Sequence, residues 1–148
     1  MTSSNVTDPL TTARTLAVGR TLVGIVALLA PKKVGRLFLG SNIADAPAGT
    51  TVVRTIGGRD LALGLGLLVA DRRKRPLRGW IEAGVLVDAL DAVVAAFASR
   101  GVPFLSRVLL FFLAAGSATS GIIAANGLRD DDQPEAGLVV ELPPLGLD

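Results

Sequence analysis

Arg59 and Asp60 stand side by side at the centre of an apolar stretch that has the length of a membrane span. The stretch runs from Thr50 to Ala70. A helix of about 20 residues crosses a hydrocarbon core of about 30 Å. A charged side chain at that depth costs roughly 2.5–3.5 kcal/mol on insertion scales, so it normally faces protein or water. We therefore expect both residues to have partners on other helices.

Three further apolar segments have a similar length. We predict membrane-spanning helices at about residues 10–30, 50–70, 80–99 and 104–125, and none of the eight prolines falls inside one. The predicted fold is an all-α bundle of four transmembrane helices. A soluble bundle of apolar helices is the alternative, but it would need a charged face along each helix. The last segment has no charged residue between Arg107 and Arg129.

Polar and charged residues flank the four segments. Residues 1–9 are polar, and residues 126–148 form an acidic tail that contains proline. Lys and Arg favour the cytoplasmic side of a membrane, and they place the loop at 71–79 and both termini in the cytoplasm. Abundant Arg, Ala, Gly, Val and Leu indicate a bacterial chain, and hence a multi-pass protein of the bacterial inner (plasma) membrane. The basic residues divide seven to four between the two sides: Arg14, Arg72, Arg73, Lys74, Arg75, Arg78 and Arg129 against Lys32, Lys33, Arg36 and Arg100.

Composition narrows the possible chemistry. The chain has no cysteine and contains neither histidine nor tyrosine. That inventory excludes disulfides, the usual zinc sites, haem ligation by histidine, and catalysis by Ser–His or Cys–His pairs. We expect no catalytic residue, no metal and no cofactor, although an enzyme remains the third hypothesis. The net charge of +2 gives no argument for a nucleic-acid partner.

Charges of both signs occur within the predicted spans. Asp88 and Asp91 are three residues apart and share one helix face. Arg59 and Asp60 are about 100° apart around the helix axis, which directs them to different neighbours. We expect Arg20 and Arg59 to pair with the two aspartates of the third segment, with the second segment packed against the first and third. The predicted polar core comprises Arg20, Arg54, Arg59, Asp60, Asp88 and Asp91.

Three roles are open for this polar core. It can be an ionic network that fixes helix order and register. It can be a proton path, or a small site for an anionic or zwitterionic ligand. It can also be a surface that meets a partner subunit.

Glycines and a basic loop complete the pattern. Gly57, Gly58, Gly64 and Gly66 favour close helix packing, and Gly57-Gly58 can alternatively free a carbonyl for a ligand. The basic loop between the second and third segments reflects either topology alone or binding of anionic lipid head groups. Its basic residues are Arg72, Arg73, Lys74, Arg75 and Arg78.

The run from Arg54 to Gly64 resembles the Arg-x-x-Gly-x-Arg-Asp-x-x-x-Gly signature of small bacterial four-helix membrane proteins of unknown function. Pro31, the Gly-Arg-Leu-Phe run at 35–38 and the aspartate pair of the third segment extend the resemblance over roughly residues 14–125. A more distant similarity is to DoxX-like proteins, some of which are linked to quinone-coupled oxidoreductase complexes. Because this chain lacks cysteine, this similarity does not imply an oxidoreductase-linked activity for it.

The sequence thus favours a non-catalytic structural or accessory subunit. We expect it to lie in the lipid bilayer and to join a larger membrane protein complex or a homo-oligomer. The alternative is a transporter or proton-handling protein that uses the midspan Arg and Asp residues.

Overall fold

Helices joined by short turns make up residues 8–98 and 101–128, the part of the chain that the structure, a computed structural model, describes. The predicted all-α class is therefore confirmed. Most of the predicted acidic tail lies outside the described residues. The elements are α1 (Pro9–Leu29), α2 (Pro31–Leu39), α3 (Ser41–Ala44), α4 (Pro47–Arg72), α5 (Arg78–Val93), a π-helical turn (Val94–Ala98) and α6 (Phe104–Gly127).

Proline and a capping aspartate set the helix starts. Pro9, Pro31 and Pro47 each open a helix, where the missing N–H costs nothing and the fixed φ suits the first turn. The Asp8 carboxylate caps α1 by accepting a hydrogen bond from the Thr11 amide at 3.0 Å. The first, second and fourth predicted segments coincide with α1, α4 and α6. The third predicted segment coincides with α5 together with the π-helical turn.

The π-helical turn at the end of α5 is a feature that the sequence analysis missed. A π turn shifts the hydrogen-bond pattern and leaves carbonyl groups that need other donors. Arg107 of α6 supplies them: its Nη2 donates to the Ala96 carbonyl at 2.7 Å and its Nε to the Ala95 carbonyl at 3.4 Å. An arginine inside an apolar helix is thereby satisfied by backbone oxygens.

The long helices form two closely packed pairs, α1 with α4 and α5 with α6. Helix α1 also packs on α6 and so joins the pairs, whereas α4 and α5 approach each other at few positions. Helix α4 was expected to pack against both neighbours, but in the structure it packs mainly against α1. The reason is the glycine and alanine face that α4 turns toward α1.

Backbone contact defines the α1–α4 pair. A Cβ atom built on Gly24 would lie 2.6 Å from the Leu61 amide nitrogen, and one on Gly57 would lie 2.7 Å from the Ala27 Cβ. Neither distance is possible for a real side chain without a shift of the helices. Glycine is therefore required where these helices touch, as is common between helices in membranes.

Small residues are buried and large apolar residues are exposed, which is the reverse of the pattern expected for a protein in water. The buried apolar residues are mostly alanines, and no large side chain is fully buried within the described residues. Large apolar side chains instead lie outside: Leu29 and Phe97 are each 81% exposed and Phe104 is 78% exposed. Contiguous exposed apolar surface on this scale marks contact with lipid or protein. Of the described helices, α1 and α6 are long and apolar enough to cross a membrane by length and composition alone.

Candidate functional site

Arg20 connects α1 to α5. Its Nη2 donates to the Asp88 carboxylate and also to the Gly84 carbonyl, the latter at 3.1 Å. The side chains of Arg20 and Asp88 are 13% and 10% exposed, so this is a buried ion pair. Gly84 allows the approach, because a Cβ atom there would lie 3.1 Å from the guanidinium. Sequence reasoning missed this glycine, although its spacing of one helical turn from Asp88 was the available signal.

Asp60 is shared by two arginines. Its Oδ1 accepts from Nη2 of Arg59 at 3.1 Å and lies 3.6 Å from Nη1 of Arg20. The expectation that Arg59 and Asp60 address different neighbours is confirmed, because Asp60 faces Arg20 of α1 and Arg59 binds Asp91 of α5. The long Arg59 side chain also bends back to donate to Asp60.

Arg59 binds Asp91 with two parallel hydrogen bonds. Nη1 donates to Oδ1 at 3.0 Å, and Nη2 donates to Oδ2 at 2.8 Å. This fork geometry is the strong, directional form of an arginine–carboxylate contact. The pair is more open than the Arg20–Asp88 pair, with side chains 30% and 41% exposed. It bridges α4 and α5, which pack against each other at few positions.

These five residues form one charge cluster that joins three helices. The predicted pairing of both arginines with the aspartates of the third segment is present in the structure. The cluster holds three carboxylates against two guanidinium groups. Across the described residues, no buried side-chain nitrogen or oxygen lacks a hydrogen-bond partner. The members are Arg20, Arg59, Asp60, Asp88 and Asp91.

Arg54 does not belong to the charge cluster, contrary to the expectation from sequence. It precedes Arg59 by five residues, which places it about 140° further around α4. It is exposed, and it lines a cavity with Lys32 and Lys33. Arg54 was placed in the predicted polar core because of its positive charge and its position in the same segment as Arg59. Its angular position around α4 was not considered.

The basic loop lies at the other end of α4 from this cavity. Helix α4 ends at Arg72 and α5 begins at Arg78, so the predicted head-group residues occupy this connection and its two flanks. Arg78 pairs with Glu82 at 2.7 Å. The other four basic residues of the loop, Arg72, Arg73, Lys74 and Arg75, are exposed.

A second ion pair joins α1 and α4 near this loop. Arg14 donates to both carboxylate oxygens of Asp71, at 2.9 and 3.1 Å. The hydrogen bond from Arg14 holds the pKa of Asp71 below its ordinary value, and the positive charge of the arginine adds to this effect.

Comparison with known proteins gives no match: no protein-family model, no curated protein and no solved structure is significantly similar to this chain.

Proposed function

We propose that this chain is a four-helix integral membrane protein that serves as a non-catalytic structural or accessory subunit. The observation that carries the proposal is the arrangement of size and charge. Small residues and aspartates are inside, while large aliphatic and aromatic side chains are outside. In water, exposed large apolar side chains and buried aspartates are both unfavourable. In a hydrocarbon solvent, the apolar side chains are stable outside and the charged ones are more stable inside.

The same arrangement supports α4 and α5 as spans, although their charges make them less apolar than α1 and α6. The charged residues of α4 between Arg54 and Asp71 are the two cluster members Arg59 and Asp60. The outer surfaces of α4 and α5 carry exposed large apolar residues in the stretches that these charges interrupt. They are Ile56, Leu65 and Val69 on α4, and Leu86, Leu90 and Val93 on α5.

The proposed placement is a bacterial inner membrane with both termini in the cytoplasm. The support is the excess of Lys and Arg on the side of the 71–79 loop. Membership in the four-helix family with the Arg-x-x-Gly-x-Arg-Asp-x-x-x-Gly signature belongs to the same proposal. Its support is the run from Arg54 to Gly64, whose Gly57 and Gly64 pack on α1 and whose Arg59 and Asp60 enter the charge cluster.

A structural role for the charge cluster follows from its complete pairing. Each guanidinium contacts two carboxylates, and each carboxylate contacts at least one guanidinium. Such a network fixes which helices meet and in which register, because removing Arg20 leaves Asp88, and removing Arg59 leaves Asp91, without a cationic partner. Helices α4 and α5, which pack little, are the ones that need this link.

A partner protein is supported by the exposure of one ion pair. Arg59 and Asp91 lie at mid-depth of the proposed spans, yet 30% and 41% of their side chains are open. Open charged groups facing lipid at this depth are costly. A second subunit over this surface removes that cost, so we propose association with a larger membrane complex or with further copies of the chain.

Gentle purification tests the subunit proposal. The native chain, tagged at its chromosomal locus and extracted in a mild detergent, should migrate as a complex larger than the monomer. Asp91→Leu should reduce that complex while leaving the chain in the membrane, and Leu86→Ala serves as a control on the same helix. A monodisperse monomer at native expression would contradict the proposal.

The second candidate is a transporter or proton-handling protein, favoured by the excess of one carboxylate over the guanidinium groups in the charge cluster. An unbalanced carboxylate is a group that can take up and release a proton. Asp88→Asn and Asp91→Asn separate the candidates. Unchanged protein level with lost proton flux in liposomes would favour transport, whereas loss of the folded protein would favour the structural role.

A further inference from the structure

An open cavity of about 500 Å³ lies where α1 gives way to α2, beside the first two turns of α4. The apolar part of its lining comes from residues 29–31, at the end of α1 and the start of α2. The cationic part comes from Lys32 and Lys33 of α2 and from Arg54 of α4. The lining residues are Leu29, Ala30, Pro31, Lys32, Lys33, Thr50 and Arg54.

Within residues 8–98 and 101–128, no acidic side chain compensates the charge of this cavity. It is lined by three cationic side chains and by no acidic residue. Lys32, Lys33 and Arg54 form no ion pair with any residue in 8–98 or 101–128. The nearby Arg36 differs, because Asp45 neutralises it at 2.9 Å. A polar anion is therefore the ligand class that the cavity would attract.

The start of α2 adds positive potential to the same cavity. Helix α2 has nine residues, begins at Pro31 and has no side-chain cap on its first turn. The helix dipole places partial positive charge at this end. The backbone adds few hydrogen-bond donors, because Pro31 has no N–H and the Ala30 and Lys33 amides donate to the Val26 and Ala30 carbonyls. The Thr50 hydroxyl, on the same lining, donates to the Ala44 carbonyl at 3.3 Å. The attraction for an anion therefore comes mainly from the cationic side chains.

The position of the cavity along the spans identifies the source of the anion. Helix α1 has 21 residues and ends at Leu29, so its length matches the hydrocarbon core and its end lies at head-group level. Leu29 is 81% exposed and lines the same cavity as the cationic side chains. A ligand with a phosphate and an acyl chain matches both the cationic and the apolar lining residues, whereas a free inorganic anion matches only the cationic ones.

We propose that this cavity binds the phosphate of an anionic lipid, with its head group against Lys32, Lys33 and Arg54 and its acyl chain along Leu29. This inference rests on the membrane placement proposed above. The site lies at the opposite end of α4 from the basic loop, so the two basic surfaces contact opposite leaflets. Each basic residue near an anionic surface contributes on the order of a fivefold gain in binding.

Native mass spectrometry of the full chain tests the proposal. The purified protein is incubated in mild detergent with an equal mixture of phosphatidylglycerol and phosphatidylcholine of the same acyl chains. The wild-type chain should retain phosphatidylglycerol preferentially. The triple variant Lys32→Gln, Lys33→Gln and Arg54→Gln should lower that retention roughly tenfold or more.

A matched control removes the same charge from the basic loop. The variant Arg72→Gln, Arg73→Gln and Lys74→Gln should lose less phosphatidylglycerol than the cavity variant, even if the loop itself also contacts head groups. Equal retention by the cavity variant and wild type, or an equal loss in both variants, would overturn the proposal. Displacement of the lipid by millimolar inorganic phosphate would assign the site to the free anion and overturn the lipid assignment.

Alkaline carbonate extraction separates this inference from the membrane placement. If carbonate releases the wild-type chain from membranes, the membrane placement is wrong and the lipid site fails with it. If the chain stays in the membrane and the cavity variant keeps its lipid, only the lipid site is wrong.

Discussion

Helix α4 meets its two neighbours in opposite ways. Toward α1 it presents glycines so close that backbone atoms touch, and toward α5 it presents Arg59, whose guanidinium reaches Asp91 across a sparsely packed interface. The first interface depends on the absence of side chains and the second depends on long ones. Close backbone packing dominates between α1 and α4, while an ion pair bridges α4 and α5. The two interfaces should respond differently to substitution.

Loss of Arg20 should have the largest effect, because it leaves Asp60 and Asp88 buried without their shared cation. We expect Arg20→Met to destabilise the fold by about 3–5 kcal/mol, measured by unfolding in mixed micelles with circular dichroism. Arg54→Met is the matched control, since Arg54 is exposed and outside the cluster, and should change stability by less than about 0.5 kcal/mol. Equal effects of the two variants would show that the cluster contributes no specific stability.

Adding one methyl group to the α1–α4 interface should come next. Gly24→Ala places a Cβ atom 2.6 Å from a backbone nitrogen, and overpacking of this kind costs about 1–3 kcal/mol. Gly19→Ala is the control on the same helix, where nothing lies within 4 Å. Without a clash, the control should be neutral or stabilising by about 0.5–1 kcal/mol. If both variants were equally stable in the same micelle assay, backbone contact would not define this interface.

The two ion pairs that join α5 to other helices, Arg20–Asp88 and Arg59–Asp91, should differ in how much they stabilise the fold. Asp88 is nearly buried and Asp91 is half open, so Asp88→Asn should cost more than Asp91→Asn. Double-mutant cycles in monomeric protein should give a coupling of about 1 kcal/mol or less for Arg59–Asp91. The coupling for Arg20–Asp88 should be larger. A reversed order would mean that the open pair, and not the buried one, joins the helix pairs.

The smallest effect is expected at the Arg14–Asp71 pair. The hydrogen bond from Arg14 lowers the pKa of Asp71 from its ordinary value of 3.8. The stabilisation is therefore present above that value and lost as the pH falls through the lower, folded-state pKa. Acid titration of stability should show this loss in the wild type. Asp71→Asn and Arg14→Gln should each reduce it, with the remainder including Asp8, whose pKa the Thr11 hydrogen bonds also lower. An undiminished loss in both variants would exclude the Arg14–Asp71 pair as a source.

Much of the helical layout could be predicted from the sequence. Apolar segment length and the prolines at positions 9, 31 and 103 mark where the long helices begin and end. Arg20, Arg59 and the two aspartates of α5 lie at the same depth along their segments, and this alone was enough to predict that they pair. A charge inside an apolar span has few other partners available.

The choice of partners could not be predicted in the same way. Depth along the axis says nothing about rotation around it, so Arg54 was grouped with residues that face another direction. Which helices pair closely depends on where glycines oppose one another in space, and Gly24 and Gly57 are 33 positions apart in the chain. Two carbonyl groups of the π-helical turn accept hydrogen bonds from Arg107 of another helix, and this contact is also a tertiary effect.

The scarcity of large buried side chains has a thermodynamic consequence. Unfolding a soluble domain transfers apolar groups into water and raises the heat capacity by about 12–15 cal/mol/K per residue. Here most large apolar groups are already outside, and in a bilayer or micelle they stay in contact with hydrocarbon before and after the helices separate. Calorimetry in micelles should therefore give a heat capacity change far below the soluble value, and stability should vary almost linearly with temperature.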